Sequence, residues 1–135
     1  MPAGAYGFDP PRTVHLVRLV LVDNDPMALE VIELDLALEG HEIVGTAAQG
    51  EEAVALVLAT RPDVAVVDFR MPPGIDGLEV ARRLRRQAPE VGLVLYSSHV
   101  QPHLLDEAER LAVPYLRKGE LAALRRAVIE QGRAS

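Results

Sequence analysis

The sequence predicts an α/β domain: a doubly wound, five-stranded parallel sheet with five helices distributed over its two faces. Short apolar runs rich in β-branched residues alternate along the chain with longer stretches of helical spacing, which is the pattern of repeated βα units. Proline and glycine stand at the boundaries between these segments. The length of 135 residues is that of one domain, long enough to bury a core without disulfides or structural metals.

Local signals set the bounds of each element. Asp25 is placed to cap the first helix, Pro26 to begin it and Gly40 to end it, while Pro62 and Pro89 end the second and third helices. The predicted strands are Leu16–Val22, Glu42–Gly45, Val64–Val67, Leu93–Tyr96 and Tyr115–Arg117. The predicted helices are Pro26–Leu38, Glu51–Thr60, Gly77–Gln87, Pro102–Leu111 and Glu120–Glu130. Residues 14–131 form the predicted domain, between a flexible N-terminal tail at 1–13 and a C-terminal tail at 132–135.

Composition excludes several classes of function. Cysteine is absent, so the chain has no disulfide framework, no thiolate zinc site and no cysteine nucleophile. It also has no signal-peptide core and no apolar run near the roughly 20 residues that span a bilayer, so we expect a soluble cytoplasmic protein without membrane contact. The formal net charge of −6 disfavours direct binding to nucleic acid.

Polar residues that suit one chemistry follow four of the predicted strands. Ligand sites in open parallel sheets form at the carboxyl ends of the strands. There the sequence has acids, hydroxyls and a lysine: Asp23, Asn24, Asp25, Asp68, Ser97, Ser98 and Lys118. Each alone is explained as a cap or turn residue, but their convergence on one edge predicts a site.

Oxygen ligands of this kind suit Mg²⁺, which is held by one or two carboxylates together with phosphate oxygens and water. A carboxylate beside such an ion is able to attack a phosphoryl group and form an acyl phosphate. Asp68 is the candidate nucleophile. Lys118 and Ser97 are placed to contact the phosphoryl oxygens, because phosphoryl transfer depends mainly on positioning and charge neutralisation.

Four segments between Val17 and Glu130 resemble the receiver domain of two-component response regulators. They are Val22-Asp23-Asn24-Asp25-Pro26, Asp68-Phe69-Arg70-Met71-Pro72, Leu95-Tyr96-Ser97-Ser98 and Tyr115-Leu116-Arg117-Lys118. In order, they are similar to the family's acidic motif, its phosphorylated aspartate, its strand-4 hydroxyl and its strand-5 lysine. The resemblance implies a flavodoxin-like fold with strand order 2-1-3-4-5.

The resemblance also implies a mechanism and partners. A histidine kinase or phosphotransfer protein would donate phosphate to Asp68, with Mg²⁺ held by Asp23, Asp68, the position of Asn24 and the main-chain carbonyl of Arg70. Ser97 would then move towards the phosphoryl group and the switch aromatic Tyr115 would turn inward. This would reshape the face of helix 4, strand 5 and helix 5, where a homodimer is also expected.

Departures from the family pattern affect the site and two helices. Asn24 replaces the second acid, so weaker metal binding is expected, and Asp25 is assigned to capping. The loop 71–77 is one residue longer than usual. The segment 111–114 lacks the glycine that often ends helix 4, and Pro114 is expected to stop that helix. Asp35 lies within the apolar arc of helix 1 without an explanation from the sequence.

The four histidines have no spacing that makes a metal site. His15 and His41 are interpreted as surface or strand-end residues, and His103 has no assigned role. His99 and Arg70, each two residues beyond a site residue, occupy positions that in the family influence the lifetime of the acyl phosphate.

Two other functions remain open. The first is a pseudo-receiver, an interaction or dimerisation module that is not phosphorylated, and Asn24 favours it. The second is a phosphatase with an aspartyl nucleophile, as in haloacid-dehalogenase-like enzymes. Those enzymes carry a second acid two residues after the nucleophile, where this chain has Arg70.

Overall fold

Five parallel strands in one sheet and five helices make up the computed structural model, which describes residues 16–98 and 101–134. The strand order is β2-β1-β3-β4-β5, which confirms the predicted fold class. The strands are β1 Arg18–Val22, β2 Glu42–Ala47, β3 Val64–Val67, β4 Gly92–Ser97 and β5 Tyr115–Arg117. The helices are α1 Pro26–Leu38, α2 Gly50–Thr60, α3 Gly77–Gln87, α4 Pro102–Arg110 and α5 Leu121–Ala134. The predicted tail at 1–13, His15, His99 and Ser135 lie outside the described residues.

Most predicted bounds agree with the structure, and the larger differences have local causes. Strand β2 extends to Ala47 because that residue still pairs with Val22 of β1. Helix α5 continues to Ala134, so residues 132–134, assigned to a tail, are helical. Gly132 lies close to the start of the chain's first strand, since a Cβ built on it would be 3.0 Å from a methyl of Val17. The final turn therefore packs on the domain.

The sheet is buried on both faces. All four residues of β3 and all six of β4 are buried, as expected for parallel strands between two helical layers. One apolar cluster includes Val57, Leu84 and Ala108 from α2, α3 and α4. The other includes Leu36 and Leu124 from α1 and α5.

Helix α1 is fixed at its start and on one side. The Asp25 carboxylate accepts a hydrogen bond from the Met27 amide at 3.0 Å, which confirms the predicted cap. Both carboxylate oxygens of Asp35 accept hydrogen bonds from the guanidinium of Arg125 in α5. This ion pair joins α1 to α5 and explains an acid that the sequence left unexplained.

The end of α4 differs from the prediction. The helix ends at Arg110 before it reaches Pro114, whose carbonyl instead accepts the Leu95 amide at 2.8 Å. Ala112 adopts the left-handed conformation with φ 57°. The guanidinium of Arg85 donates to the carbonyls of Leu111 and Ala112, both at 2.9 Å, so a neighbouring side chain satisfies the exposed end of the helix.

His41 is a strand-end residue, as expected, but the alternative of a surface position is wrong. It is buried, and its Nδ1 accepts the Val17 amide at 3.1 Å. Burial lowers the pKa of His41 from its ordinary value, against an opposing effect of Glu39. The imidazole is therefore a structural acceptor between β1 and the start of β2.

No helix within the described part of the chain has the length and apolarity needed to cross a bilayer.

Candidate functional site

The predicted site residues meet at the carboxyl edge of the sheet. Asp23 and Asp68 follow β1 and β3, Ser97 ends β4, and Lys118 follows β5. A depression of about 320 Å³ opens above them, lined by Asn24, Asp25, Asp68, Arg70, Pro72, Ser97, Ser98 and Lys118. The structure thus brings together the residues that the sequence singled out, and Asp23 lies buried beneath them.

Lys118 bridges the two buried carboxylates. Its Nζ lies 2.6 Å from Asp23 Oδ2 and 3.3 Å from Asp68 Oδ2. The other oxygen of Asp23, Oδ1, accepts the amide of Asp25 at 2.9 Å. Both oxygens of Asp23 are therefore engaged, whereas Asp68 also lines the depression.

Burial and charge set the proton affinities of this cluster. Asp68 is 5% exposed, and burial together with the neighbouring charge of Asp23 raises the pKa of Asp68 to about 6, although Lys118 opposes the shift. Burial acts to lower the pKa of Lys118, but its contacts with Asp23 and Asp68 outweigh burial and raise it above the ordinary value. At neutral pH the site therefore combines a carboxylate near its titration range with a firmly charged ammonium.

Backbone contacts fix the position of Asp68. Its amide donates to the carbonyl of Val22 at 2.9 Å, and the amide of Gly77 donates to the carbonyl of Phe69 at 2.8 Å. The longer loop thus folds back on the site. A Cβ on Gly77 would lie 2.4 Å from the carbonyl oxygen of Asp68, so this close approach requires glycine.

Ser97 and Tyr115 are neighbours in the site. Ser97 is buried and Tyr115 is half-buried. Burial raises the pKa of Tyr115, and a hydrogen bond with the Ser97 side chain acts in the opposite direction. Tyr115 therefore contacts the hydroxyl of Ser97, with which it was predicted to be coupled.

Tyr96 is a residue at the site that sequence reasoning missed. Its hydroxyl accepts the amide of Gly119 at 2.8 Å, directly after Lys118. The only sequence signal was a tyrosine in a buried apolar strand, which more often indicates packing.

The donor set at the edge suits Mg²⁺ but is short of acids. Asp23 and Asp68 provide two carboxylates, in the range that Mg²⁺ uses, and Asn24 adds an amide oxygen on the exposed rim. Asp25 is occupied as the cap of α1. The described residues contain no group of three or more His, Cys, Asp or Glu arranged to hold a metal ion. These residues thus fit a magnesium site with one carboxylate fewer than the family's pattern.

Comparisons with known proteins agree with this geometry. Residues 19–128 match the family described as the response regulator receiver domain. The chain is 47% identical over 68 residues to the transcriptional regulatory protein AfsQ1 of Streptomyces coelicolor, covering 50% of this chain and 29% of that protein. It is 36% identical over 105 residues to the positive alginate biosynthesis regulatory protein of Pseudomonas aeruginosa, covering 76% of this chain and 41% of that protein. The chain therefore spans less than half the length of these relatives.

Solved structures show the same architecture. The signal receiver domain of NarL from Mycobacterium tuberculosis is similar with a TM-score of 0.74 and 34% identity, over 83% of this chain and 96% of that one. A CheY-like response regulator receiver domain protein from Methanospirillum hungatei is similar with a TM-score of 0.77 and 20% identity, over 89% of this chain and 99% of that one. The second likeness concerns the fold alone.

Proposed function

The chain belongs to the response regulator receiver family, and on that premise we propose that Asp68 accepts a phosphoryl group from a phosphohistidine of a histidine kinase or phosphotransfer protein. The observation that carries the proposal is the ion pair between Lys118 and Asp68. Lys118 Nζ lies 3.3 Å from Asp68 Oδ2, and both residues line an open depression. A carboxylate that borders an open depression on one side and is paired with a cation on the other is suited to attack on phosphorus.

In the proposed reaction an oxygen of Asp68 bonds to phosphorus while the donor's phosphorus–nitrogen bond breaks. The electron pair goes to the imidazole, which takes up a proton from solvent. Lys118 then contacts the new anion, since a point charge on a flexible stem is able to follow it. Hydrolysis by water later releases inorganic phosphate and restores the carboxylate. Asp23, Asp68, Asn24 and the Arg70 carbonyl would hold Mg²⁺, which would supply positive charge to neutralise the phosphoryl oxygens.

The proposed response is a change of partner at Ser97. Its side chain forms a hydrogen bond with Tyr115 in this structure. A phosphoryl group on Asp68 would offer a charged acceptor, which forms stronger hydrogen bonds than a neutral one. Transfer of Ser97 to that acceptor alters the packing of Tyr115 against α4. The surface of α4, β5 and α5, with Leu105 exposed on α4, is the expected site of altered binding or homodimer formation.

The proposed docking surface for the phosphoryl donor is the outer face of α1. Met27, Val31, Leu34 and Leu38 are 77%, 54%, 61% and 77% exposed. Their spacing of four, three and four places them on one helix face, opposite the buried Ile32 and Leu36. Met27 follows the site segment closely, so this apolar stripe begins at the rim of the depression.

Charge identifies the kind of partner that fits this stripe. Helix α1 carries exposed Glu30 and Glu33, Glu39 caps its end, and the helix has no basic residue. Its remaining acid, Asp35, is already paired with Arg125 of α5. A second copy of the same face would bring like charges together, whereas an amphipathic helix with apolar residues flanked by Lys or Arg would be complementary. We therefore assign the stripe to a helix of the donor protein.

The expectation that this chain makes no direct contact with nucleic acid rests on its formal net charge of −6. One relative is named as a transcriptional regulatory protein, and that name does not support the expectation. The absence of direct contact between this chain and nucleic acid therefore stays a prediction.

The alternative of a phosphorylation-independent pseudo-receiver is favoured by Asn24 and by the engagement of both Asp23 oxygens. In that case Lys118 serves as a permanent internal cation for the acids. The phosphatase alternative is disfavoured because Arg70, on the exposed rim, occupies the place of the second acid.

Incubation with acetyl phosphate and Mg²⁺, followed by intact mass measurement, separates these functions. We expect one added phosphoryl group in the parent protein and none in Asp68→Asn. An added mass that persists in Asp68→Asn would contradict the assignment, and no addition in either protein would favour the pseudo-receiver. Sustained release of phosphate from a simple phosphomonoester would instead support the phosphatase.

A further inference from the structure

Two successive amides after β5 are held by two successive residues of β4. The Lys118 amide donates to the carbonyl of Ser97 at 2.8 Å, a main-chain bond that belongs to the last pair of the ladder, Ser97 and Arg117. The next amide, of Gly119, donates at 2.8 Å to the hydroxyl of Tyr96. A side chain thus takes over where the main-chain pairing ends.

The Gly119 turn sets the direction in which the chain leaves the site. Gly119 has φ 97°, in the left-handed region, and a Cβ there would meet nothing within 4 Å. Glycine is therefore required by the backbone conformation and not by space. Because glycine has many accessible conformations, the turn needs an external contact to hold one of them, and the Tyr96 hydroxyl provides it.

Tyr96 is well suited to hold the turn. It is 4% exposed, and its ring packs in the apolar cluster with Leu124 and Val128 of α5. The ring is fixed by the core, so the hydroxyl has little freedom. The contact links the buried layer between the sheet and α5 to the residue that follows Lys118.

We propose that Tyr96 is a positioning residue that holds the Gly119 turn and thereby keeps the Lys118 ammonium against Asp23 and Asp68. The effect of Tyr96 on phosphoryl transfer rests on the proposed function, but its effect on the geometry of Lys118 does not. Tyr96 acts through Lys118 and makes no contact with the phosphoryl group itself.

Tyr96→Phe tests this role because it removes the hydroxyl and keeps the ring in the core. We expect amide hydrogen exchange at Gly119 to become about tenfold faster, in line with the loss of one hydrogen bond. The ammonium NMR signal of Lys118, visible while the ion pair holds it, should broaden or vanish. Tyr115→Phe is the matched control, since it removes the other described tyrosine hydroxyl near the site and should leave Gly119 exchange unchanged.

Labelling of Asp68 by acetyl phosphate supplies the functional readout. We expect Tyr96→Phe to slow labelling about threefold to tenfold when Lys118 is present, and to have no further effect in a Lys118→Ala background. Unchanged Gly119 exchange and an unchanged Lys118 signal in Tyr96→Phe would overturn the proposal, as would equal slowing in both backgrounds. If the parent protein takes no label, the proposed function fails, while the two NMR measurements still decide the role of Tyr96.

Discussion

The ammonium of Lys118 lies 2.6 Å from Asp23 and 3.3 Å from Asp68, so one partly buried cation is shared by two buried carboxylates. The site thus has a net negative charge when both acids are ionised. Burial, and after it the charge of Asp23, raises the pKa of Asp68 to about 6, against the opposing effect of Lys118. A site of this kind gains from the arrival of a positive ion or from the loss of one carboxylate.

Asp68→Asn should stabilise the domain at neutral pH. A folded-state pKa of about 6, above the ordinary value, means that the folded protein binds the proton more tightly than the unfolded chain. Protonation of Asp68 therefore stabilises the folded state at low pH, and this contribution is lost as the pH rises through about 6. The substitution should therefore add about 1–3 kcal/mol to the free energy of unfolding at pH near 8, and less at pH near 5.

Urea unfolding at the two pH values measures this difference. Asp106→Asn, which changes an exposed acid on α4, is the matched control and should alter the free energy of unfolding by less than about 0.5 kcal/mol. Destabilisation by Asp68→Asn at the higher pH, or a gain that does not depend on pH, would contradict the electrostatic account of the site.

Asn24→Asp should tighten Mg²⁺ binding and destabilise the metal-free protein. A carboxylate at position 24 adds a third negative charge beside Asp23 and Asp68, which attracts a divalent cation and increases repulsion when no cation is bound. We expect a gain in affinity of about tenfold or more, and a lower melting temperature in chelator that Mg²⁺ restores.

Titration calorimetry measures the affinity, with Asp25→Asn as the control. Asparagine also caps helices well, so this change removes the charge of Asp25 and keeps the start of α1. Its Mg²⁺ affinity should match that of the parent protein. If Asp25→Asn abolished binding while Asn24→Asp had no effect, Asp25 would be the metal ligand and its assignment as a cap alone would be wrong.

Leu34→Glu should weaken transfer from the donor protein without affecting labelling by acetyl phosphate. Leu34 is 61% exposed on the α1 stripe, so a charge there opposes an apolar partner and costs the fold little. Leu105→Glu on α4, where the leucine is 40% exposed, is the control for a surface leucine outside the stripe. We expect at least about tenfold slower transfer from the phosphorylated donor for Leu34→Glu alone. Equal slowing by both variants would contradict the assignment of the α1 stripe as the docking surface for the donor.

The parts of the fold that depend on residues close together in the sequence were predictable. Strand β3 and helix α3 have the predicted bounds, because apolar runs and flanking proline and glycine act locally. Asp25 caps α1 as expected for the same reason. The four strand-end groups converge because parallel strands share a carboxyl edge, a property of the fold class.

The contacts that the sequence did not reveal join distant segments. Asp35 and Arg125 are 90 residues apart, and their pairing depends on how α1 and α5 lie together on one face. The bonds from Arg85 to the end of α4 depend likewise on the packing of two helices. The contact of Tyr96 with Gly119 requires the register of β4 against β5, which periodicity alone does not provide.

The most direct test of the account is the chemical identity of residue 68 after phosphorylation. Borohydride reduces an acyl phosphate in two steps. One hydride adds to the carbonyl carbon and displaces phosphate to give the aldehyde, and a second hydride with a proton from water converts the aldehyde to the alcohol of homoserine. After treatment with acetyl phosphate and Mg²⁺, then borohydride, peptide mass spectrometry should find homoserine at Asp68 and aspartate at Asp23 and Asp25. Homoserine at another acid, or none anywhere in a protein that had gained a phosphoryl group, would contradict the assignment of Asp68 as the phosphoryl acceptor.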